Sequence, residues 1–295
     1  NFVQYEVEKD TKMLDMDKIR KIALRTKPKM IVSGATAYPR EFDFKAFHEI
    51  CEEVGAYSMA DIAHIAGLIV GGAHPSPLPF TDVVTTTTHK TLCGPRSAII
   101  LSREEDRLAD VTGLDEKKAK MQKSLAAKID RAVFPGLQGG PLEHTIAAKA
   151  VCFANAMKPE FSVFAKQVVK NAKALADTLM EQGVKLVTDG TDNHLMLLDL
   201  TPMGKGLGYD VSEALARAGI YTNRNMIPFD PSTPFKPSGI RLGTPVLTQR
   251  GMKEPEMKTV GEWIASVVKD HENKKLIEKT RQDIKALTEE FPLYD

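Results

Sequence analysis

Residues 85–96, which read TTTTHKTLCGPR, contain the side chains with the clearest chemical potential in this sequence. Lys90 follows a β-branched run that is typical of a buried strand. A lysine held at the rim of a sheet is partly desolvated, and desolvation favours the neutral amine that attacks an aldehyde. For an isolated lysine, a solvated surface position is the preferred interpretation. The four threonines, His89 and Gly94-Pro95-Arg96 instead favour a functional site.

A second motif, Asp61-Ile-Ala-His64, follows another predicted strand. A buried carboxylate at this position can keep a pyridinium nitrogen protonated, which strengthens the ring as an electron sink. His64 reaches the same neighbourhood if the backbone turns there. For either residue alone, the preferred interpretation is structural: Asp61 as a helix cap, and His64 as a hydrogen-bonded core histidine.

Two further motifs suit anionic groups. Gly139-Gly140-Pro141 stands at a predicted helix start, where free N–H groups favour a phosphate, although Gly-Gly-Pro is also common in turns. Arg241 lies in a predicted strand between Gly239 and Gly243, which leaves room for a bidentate grip on a carboxylate. The alternative is a structural arginine paired with an acidic side chain.

The composition limits the other classes of function. Lys plus Arg (40) nearly balances Asp plus Glu (39), so the charge gives no reason to propose a nucleic-acid or membrane partner. The three cysteines are far apart and form no CxxC pair, which favours a reducing, cytoplasmic setting. No cluster has metal-ligand spacing, so we expect no metal. The chain opens at Asn1 in what reads as mid-domain sequence, and we expect an N-terminal portion to be missing.

The predicted elements alternate between strands and helices in the first half of the chain. Strands are predicted at 29–33, 56–61, 83–87 and 98–101, and a helix runs from Asp43 to 53 with a stop at Gly55. This alternation indicates a mostly parallel α/β sheet. A long helix is predicted at 116–131, a loop at 134–140, and a helix from Pro141, as its first residue, to 157.

Lys158-Pro159 breaks this pattern, and we place a domain boundary there. Residues 1–157 form a predicted large domain, and residues 158–295 form a smaller α+β domain. The smaller domain is predicted to contain helices at 160–182, 212–218, 256–270 and 275–289, with strands at 185–188, 194–199 and 239–243.

Together these motifs resemble the serine hydroxymethyltransferase family. Residues 85–96 look like that family's lysine signature, and the likeness extends to 61–67, 134–141 and 238–245 in the expected order over essentially the whole chain. The resemblance implies the aspartate-aminotransferase-like fold (fold type I) and pyridoxal 5'-phosphate as cofactor. It also implies a homodimer or homotetramer that reversibly transfers the hydroxymethyl group of serine to tetrahydrofolate. The products are glycine and 5,10-methylenetetrahydrofolate, within one-carbon metabolism.

The resemblance also implies a role for each matching residue on the cofactor side. Lys90 would form the Schiff base, and Asp61 would pair with the pyridine nitrogen. His64 would hydrogen-bond on the side of the phenolic oxygen, and His89 would contact the phosphate. Thr87 would lie beside the reacting carbon.

The remaining matches concern substrates and the partner subunit. Arg241 would bind the amino-acid carboxylate, and Asn225 matches a folate-contacting position. From the other subunit, Phe134 would contact folate, and Gly139 and Gly140 would reach the phosphate. Arg96 matches the motif and is assigned to substrate binding.

The sequence departs from the family pattern in two respects. Thr36 stands where the family usually has a cofactor-contacting serine, and because a hydroxyl is retained we expect cofactor binding to survive. The family's catalytic glutamate, its active-site tyrosine and the histidine that stacks on the cofactor all belong to a preceding part of the chain, so this sequence does not contain them.

Two alternative functions remain open. One is another fold type I activity on small amino acids, such as threonine aldolase or an α-oxoamine synthase. Such enzymes would not need Asn225 or the proline-rich residues 228–237. The other is a non-catalytic scaffold, although the cofactor-facing positions retain competent side chains.

Overall fold

The computed structural model describes residues 1–294, and its first sheet is built from four strands. β1, β2 and β3 are parallel, and β4 runs antiparallel to β3 in the order β1-β2-β3-β4. This mostly parallel α/β sheet confirms the predicted fold class, and all four predicted strands are present to within one residue at each end. They are β1 (Met30–Ser33), β2 (Tyr57–Asp61), β3 (Val83–Thr87) and β4 (Ala98–Ser102).

Three helices accompany this sheet: α1 (Met16–Thr26), α2 (Phe44–Val54) and α3 (Ala66–Val70). The predicted helix α2 is confirmed. The Asp43 carboxylate caps it by accepting from the Ala46 N–H at 2.9 Å, and Gly55 ends it with φ 68°. Phe47 and Ile50 of α2 pack with Leu68 in the core of this unit. Helix α1 was not predicted.

The connection between the two halves contains α4 (Glu116–Lys123), α5 (Leu125–Val133) and α6 (Glu143–Ala156). The single helix predicted at 116–131 is wrong, because Ser124 has an extended backbone that forms a bridge with Glu105. The Ser124 hydroxyl then caps α5 by accepting from the Ala127 N–H at 3.1 Å. Pro141 was also wrongly predicted as the first residue of α6. The first helical bond runs from the Ile146 N–H to the Leu142 carbonyl, so the helix begins after Leu142.

A second, three-stranded antiparallel sheet forms the centre of the smaller unit, in the order β5-β7-β6. Strands β5 and β7 and four of the helices were predicted, whereas β6 and α9 were not. The elements are β5 (Leu195–Asp199), β6 (Asn223–Asn225), β7 (Gly239–Gly243), α7 (Pro159–Glu181), α8 (Gly208–Arg217), α9 (Pro245–Gln249), α10 (Glu254–Lys269) and α11 (Lys274–Glu290).

The strand predicted at 185–188 is wrong. Leu186 forms only an isolated bridge with Leu198, and the next three residues form a 3₁₀ turn. Thr188 has φ 65° in this turn, which is the left-handed region that a strand cannot contain.

Helix α7 contributes to both hydrophobic cores. Ala165 and Val168 near its start pack with the first sheet, whereas Leu175 and Leu179 pack with the second. The domain boundary near residue 158 therefore stays a prediction, with α7 as the element that joins the two cores.

Within residues 1–294, no helix has both the length and the apolar composition of a membrane span.

Candidate active site

The loop that carries Lys90 is held by its own hydrogen bonds. The Thr88 hydroxyl donates to the Pro95 carbonyl at 2.6 Å, and the Gly94 N–H donates to the Thr88 carbonyl at 2.8 Å. The Cys93 N–H donates to the Lys90 carbonyl at 2.9 Å. These bonds fix the backbone at Lys90 directly after β3.

Thr91 joins this loop to the turn that follows β2. Its hydroxyl donates to the His64 carbonyl at 3.0 Å and accepts from the Gly67 N–H at 3.0 Å. A side chain at residue 67 would not fit, because an added Cβ would lie 2.0 Å from the Thr91 carbonyl oxygen. The Lys90 loop therefore lies directly against the turn 61–67.

Asp61 ends β2 opposite Thr85 of β3. Its Oδ1 accepts from the Ala63 N–H at 2.9 Å, which forms a local turn and not a helix cap. Asp61 and Lys90 are both exposed in the described chain, so the burial expected for the Asp61 carboxylate is wrong. Asp61 is the last residue of β2 and Lys90 follows the end of β3, so both lie at the carboxyl edge of the sheet, where ligands collect in α/β proteins.

His64 shows that the charged groups converge. Burial first, and then the positive charges of Lys90 and Arg241, lower the pKa of His64 to about 4, while Asp61 opposes the change. The half-buried imidazole is therefore neutral at neutral pH. Lys90 and Asp61 of the first sheet and Arg241 of the second are thus all close enough to His64 to affect its pKa.

Arg241 extends from β7 towards the first sheet. Its Nη1 donates to the Thr36 carbonyl at 2.9 Å, and its Nη2 donates to the Asn223 side-chain oxygen at 3.0 Å. Burial lowers the pKa of Arg241, but a guanidinium stays charged. Both hydrogen-bond partners are neutral, and no acidic side chain within residues 1–294 forms an ion pair with it. The alternative of an acid-paired structural arginine is therefore not observed in this part of the chain.

His194, which precedes β5, was missed by the sequence reasoning. Its ring is 6% exposed and stacks on His64 with centroids 5.9 Å apart and an interplanar angle of 18°. Burial, followed by the proximity of His64 and Arg241, lowers the pKa of His194 to about 3. The only sequence signal was a histidine beside an apolar strand, which usually indicates a core residue.

A cavity of about 580 Å³ adjoins these groups. His64, His194, Asn223 and Arg241 line one part of it, and apolar side chains that include Trp263 line another. Because this volume accommodates a small molecule, the cavity provides space for a ligand beside the guanidinium of Arg241, which has no acidic partner.

The other predicted residues divide into two groups. The first group lies near the site and contains His89, Thr87 and Thr36. Thr87 Oγ1 donates to the Ala63 carbonyl at 3.5 Å, and the Thr36 carbonyl accepts from Arg241. Asn225 in β6 pairs with Gly239, and its Nδ2 donates to the Met226 carbonyl at 2.7 Å.

The second group forms no hydrogen bond with the Lys90 site within residues 1–294. It consists of three residues in the segment between α5 and α6, all exposed, and one exposed arginine after the lysine loop: Phe134, Gly139, Gly140 and Arg96. Gly139 and Gly140 precede α6 by at least two residues, so they do not form its first turn.

The unused polar groups fit pyridoxal 5'-phosphate. Lys90 offers an amine for the aldehyde, and Asp61 offers a carboxylate for the ring nitrogen. His89 Nδ1 and Thr85 Oγ1 are buried without a hydrogen-bond partner in the described part of the chain. Such buried, unpaired polar atoms need a partner, which a polar cofactor would supply.

The fold and this set of side chains define a class of α/β enzyme of fold type I. The serine hydroxymethyltransferase family model matches residues 1–264. The serine hydroxymethyltransferase of Methanospirillum hungatei is 53% identical over 291 residues, which cover 99% of this chain and 66% of that protein. That of Koribacter versatilis is 50% identical, over 99% of this chain and 64% of the relative, and that of Methanosarcina barkeri is 50% identical, over 100% and 67%.

The chain belongs to the serine hydroxymethyltransferase family. It spans about two thirds of the length of the curated relatives it matches.

The buried neutral His194 makes stability depend on pH. Its folded pKa of about 3 lies below the unfolded value of 6.5, so the unfolded chain takes up a proton first as the pH falls. The free energy of unfolding should therefore fall from pH 6.5 to 4.5, by roughly 2–3 kcal/mol for this group. His194→Gln should flatten the curve, as measured by urea unfolding of the cofactor-free protein. Above pH 7 the two proteins should differ only by a constant offset, and parallel curves down to pH 4.5 would contradict this assignment.

Proposed function

We propose that the protein reversibly transfers the hydroxymethyl group of serine to tetrahydrofolate and uses pyridoxal 5'-phosphate as cofactor. The observation that carries the proposal is geometric: Thr91 holds the Lys90 loop against the turn 61–67, and Arg241, which has no acidic partner, reaches the same end of the first sheet at Thr36. The relatives at 50–53% identity, which are serine hydroxymethyltransferases by name, support the same reaction.

Arg241 is the proposed binding site for the substrate carboxylate. Its two terminal nitrogens point to neutral acceptors, Thr36 O and Asn223 Oδ1, so its charge is not neutralised by the protein. A carboxylate is the ligand that a guanidinium fork binds best. Its binding would hold the amino acid beside the carboxyl edge of the first sheet.

Each cofactor-side residue would act on a different group of the cofactor. Lys90 would supply the amine that bonds the cofactor aldehyde, and Asp61 would hold a proton on the ring nitrogen. With its pKa of about 4, His64 would offer a neutral imidazole to the phenolic oxygen, and His89 would bind the phosphate. When bound, the cofactor ring withdraws electrons from the bond that breaks. The role of the protein is orientation and electrostatics.

Tetrahydrofolate is the proposed acceptor of the one-carbon unit. Asn225 lies at the end of β6, and residues 226–228, which follow it directly, help to line a second cavity of about 400 Å³. Threonine aldolase activity would not require this folate-side segment. The competent side chains at the cofactor positions disfavour a non-catalytic scaffold.

A homodimer is the proposed assembly, with a tetramer as a larger alternative. The segment from α5 to α6 exposes apolar side chains over a continuous stretch of the chain, and Gly139 and Gly140 lie within it. An exposed apolar surface of this kind is typical of an interface. Its members, here called the α5–α6 surface, are Phe134 (61% exposed), Leu137 (90%), Leu142 (66%), Ile146 (49%), Val151 (62%) and Met157 (79%).

The proposed compartment is the cytoplasm. Cys51, Cys93 and Cys152 are all unpaired thiols, which is usual in a reducing environment.

The reaction is tested by a serine-to-glycine assay of the natural-length protein with and without tetrahydrofolate. The wild type should carry a bound cofactor with visible absorbance and respond to tetrahydrofolate. Lys90→Ala should reduce turnover by about 10³-fold or more, because the covalent attachment and its amine are lost. Lys166→Ala, an exposed lysine on α7, is the matched control and should retain activity. Cleavage of threonine without any response to tetrahydrofolate would favour the aldolase alternative.

The assembly is tested by sedimentation velocity. Ile146→Glu should convert the dimer to monomer and weaken cofactor binding, because a buried unpaired charge is costly and the partner's phosphate contacts are lost. Leu24→Glu places the same charge on an exposed apolar position of α1, and this control should remain dimeric. A wild type that is monomeric at micromolar concentration, or a dimeric Ile146→Glu variant, would reject this interface.

A further inference from the structure

A strained turn precedes β5. Thr188, Asp189 and Gly190 have consecutive positive φ angles of 65°, 51° and 137°. The left-handed region is unfavourable for a β-branched residue, and Thr188 is also buried. Such conformations persist only where the surrounding contacts enforce them, and they are concentrated at functional sites.

Arg40, which follows β1 in the first unit, supplies those contacts. Its Nε donates to the Thr188 hydroxyl at 3.1 Å, and its Nη2 donates to the Thr188 carbonyl. Its Nη1 pairs with Asp192 Oδ1 at 2.7 Å. The left-handed turn allows the hydroxyl and the carbonyl of Thr188 to accept from one guanidinium. The arginine fork therefore binds two polar groups of the strained residue.

Neighbouring bonds extend this junction between the loop 36–40 and the turn 188–193. The Asp192 N–H donates to the Pro39 carbonyl at 2.8 Å. The Thr191 hydroxyl donates to the Leu195 carbonyl at 2.5 Å and lies 3.1 Å from the Pro39 carbonyl oxygen. Asn193 Nδ2 donates to the Tyr38 carbonyl at 3.1 Å. The two units are thus joined by directional hydrogen bonds at this place.

Both sides of the junction lead directly into the candidate active site. The loop 36–40 begins with Thr36, whose carbonyl accepts from Arg241 at 2.9 Å. The turn 188–193 continues into His194, which stacks on His64. A shift of one loop against the other would therefore move the guanidinium of Arg241 relative to Asp61 and Lys90.

We propose that Arg40 is a positioning residue that sets the affinity for the amino-acid substrate by fixing Arg241 relative to the carboxyl edge of the first sheet. This inference rests on the proposed function, because it assumes that Arg241 binds the substrate carboxylate. Arg40 itself is too well engaged to bind a ligand: its side chain is 19% exposed and all three of its bonded nitrogens face the 188–192 segment.

The test compares Arg40→Ala with the wild type in the cofactor-loaded, natural-length protein. The KM for serine should rise about fivefold to tenfold, with kcat within about threefold, because a remote contact modulates a site by this order. The Kd of glycine, measured by titration calorimetry, should rise by the same factor. The KM for tetrahydrofolate and the affinity for pyridoxal 5'-phosphate should change less than about twofold, since neither depends directly on Arg241.

Three further variants separate positioning from general stability. Arg20 also makes two bonds to one carboxylate, that of Glu53, but it joins only α1 to α2. Arg20→Ala is therefore the matched control, and its binding of serine and glycine should not change. Asp192→Asn leaves the two bonds from Arg40 to Thr188 in place, so it should raise the KM for serine less than Arg40→Ala does. Arg40→Lys retains the charge without the fork and should restore only part of the affinity.

The outcomes are distinguishable. An unchanged glycine Kd and serine KM in Arg40→Ala overturns the inference. So does a parallel loss of kcat, cofactor affinity and melting temperature, which would indicate a general structural role. A wild type that binds glycine but shows no response to tetrahydrofolate rejects the proposed reaction, while the glycine Kd of the variants still decides the role of Arg40.

Discussion

The hydroxyl of Thr91 is the interaction on which the rest of the site depends. It bonds the His64 carbonyl and the Gly67 N–H, and it brings the ends of β2 and β3 together. The close approach is possible only because residue 67 has no side chain. The loop that carries Lys90 is therefore held against the turn that begins at Asp61.

The second sheet adds two groups to this arrangement: the guanidinium of Arg241 and the neutral imidazole of His194. Arg241 reaches across to the Thr36 carbonyl, and His194 stacks behind His64. Burial is the main cause that lowers the pKa of both imidazoles and keeps them uncharged, with a contribution from Lys90 and Arg241 at His64 and from Arg241 at His194. The arginine can then act on a carboxylate without competition from a second positive charge on these rings. In the proposed function, recognition of the amino acid would depend on the relative position of the two sheets, and therefore on the polar junction between them.

The sequence predicted those features whose causes are local. Strand β3 and its lysine loop follow from a β-branched run and a Gly-Pro pair, and α2 follows from the cap at Asp43 and the stop at Gly55. The features it missed depend on distant contacts. The break at Ser124 arises from a bridge to Glu105, and the left-handed Thr188 depends on Arg40, 148 residues away in sequence. The partnership of His194 with His64 likewise arises only from the packing of the two units.

The central claim is that Lys90, and no other lysine, forms the covalent bond to the cofactor. Sodium borohydride reduction of the cofactor-loaded protein, followed by proteolysis and peptide mass mapping, tests it most directly. The account predicts one pyridoxyl-phosphate adduct per chain, on Lys90. An adduct on a different lysine, or none in a protein that retains its absorbance, would contradict it.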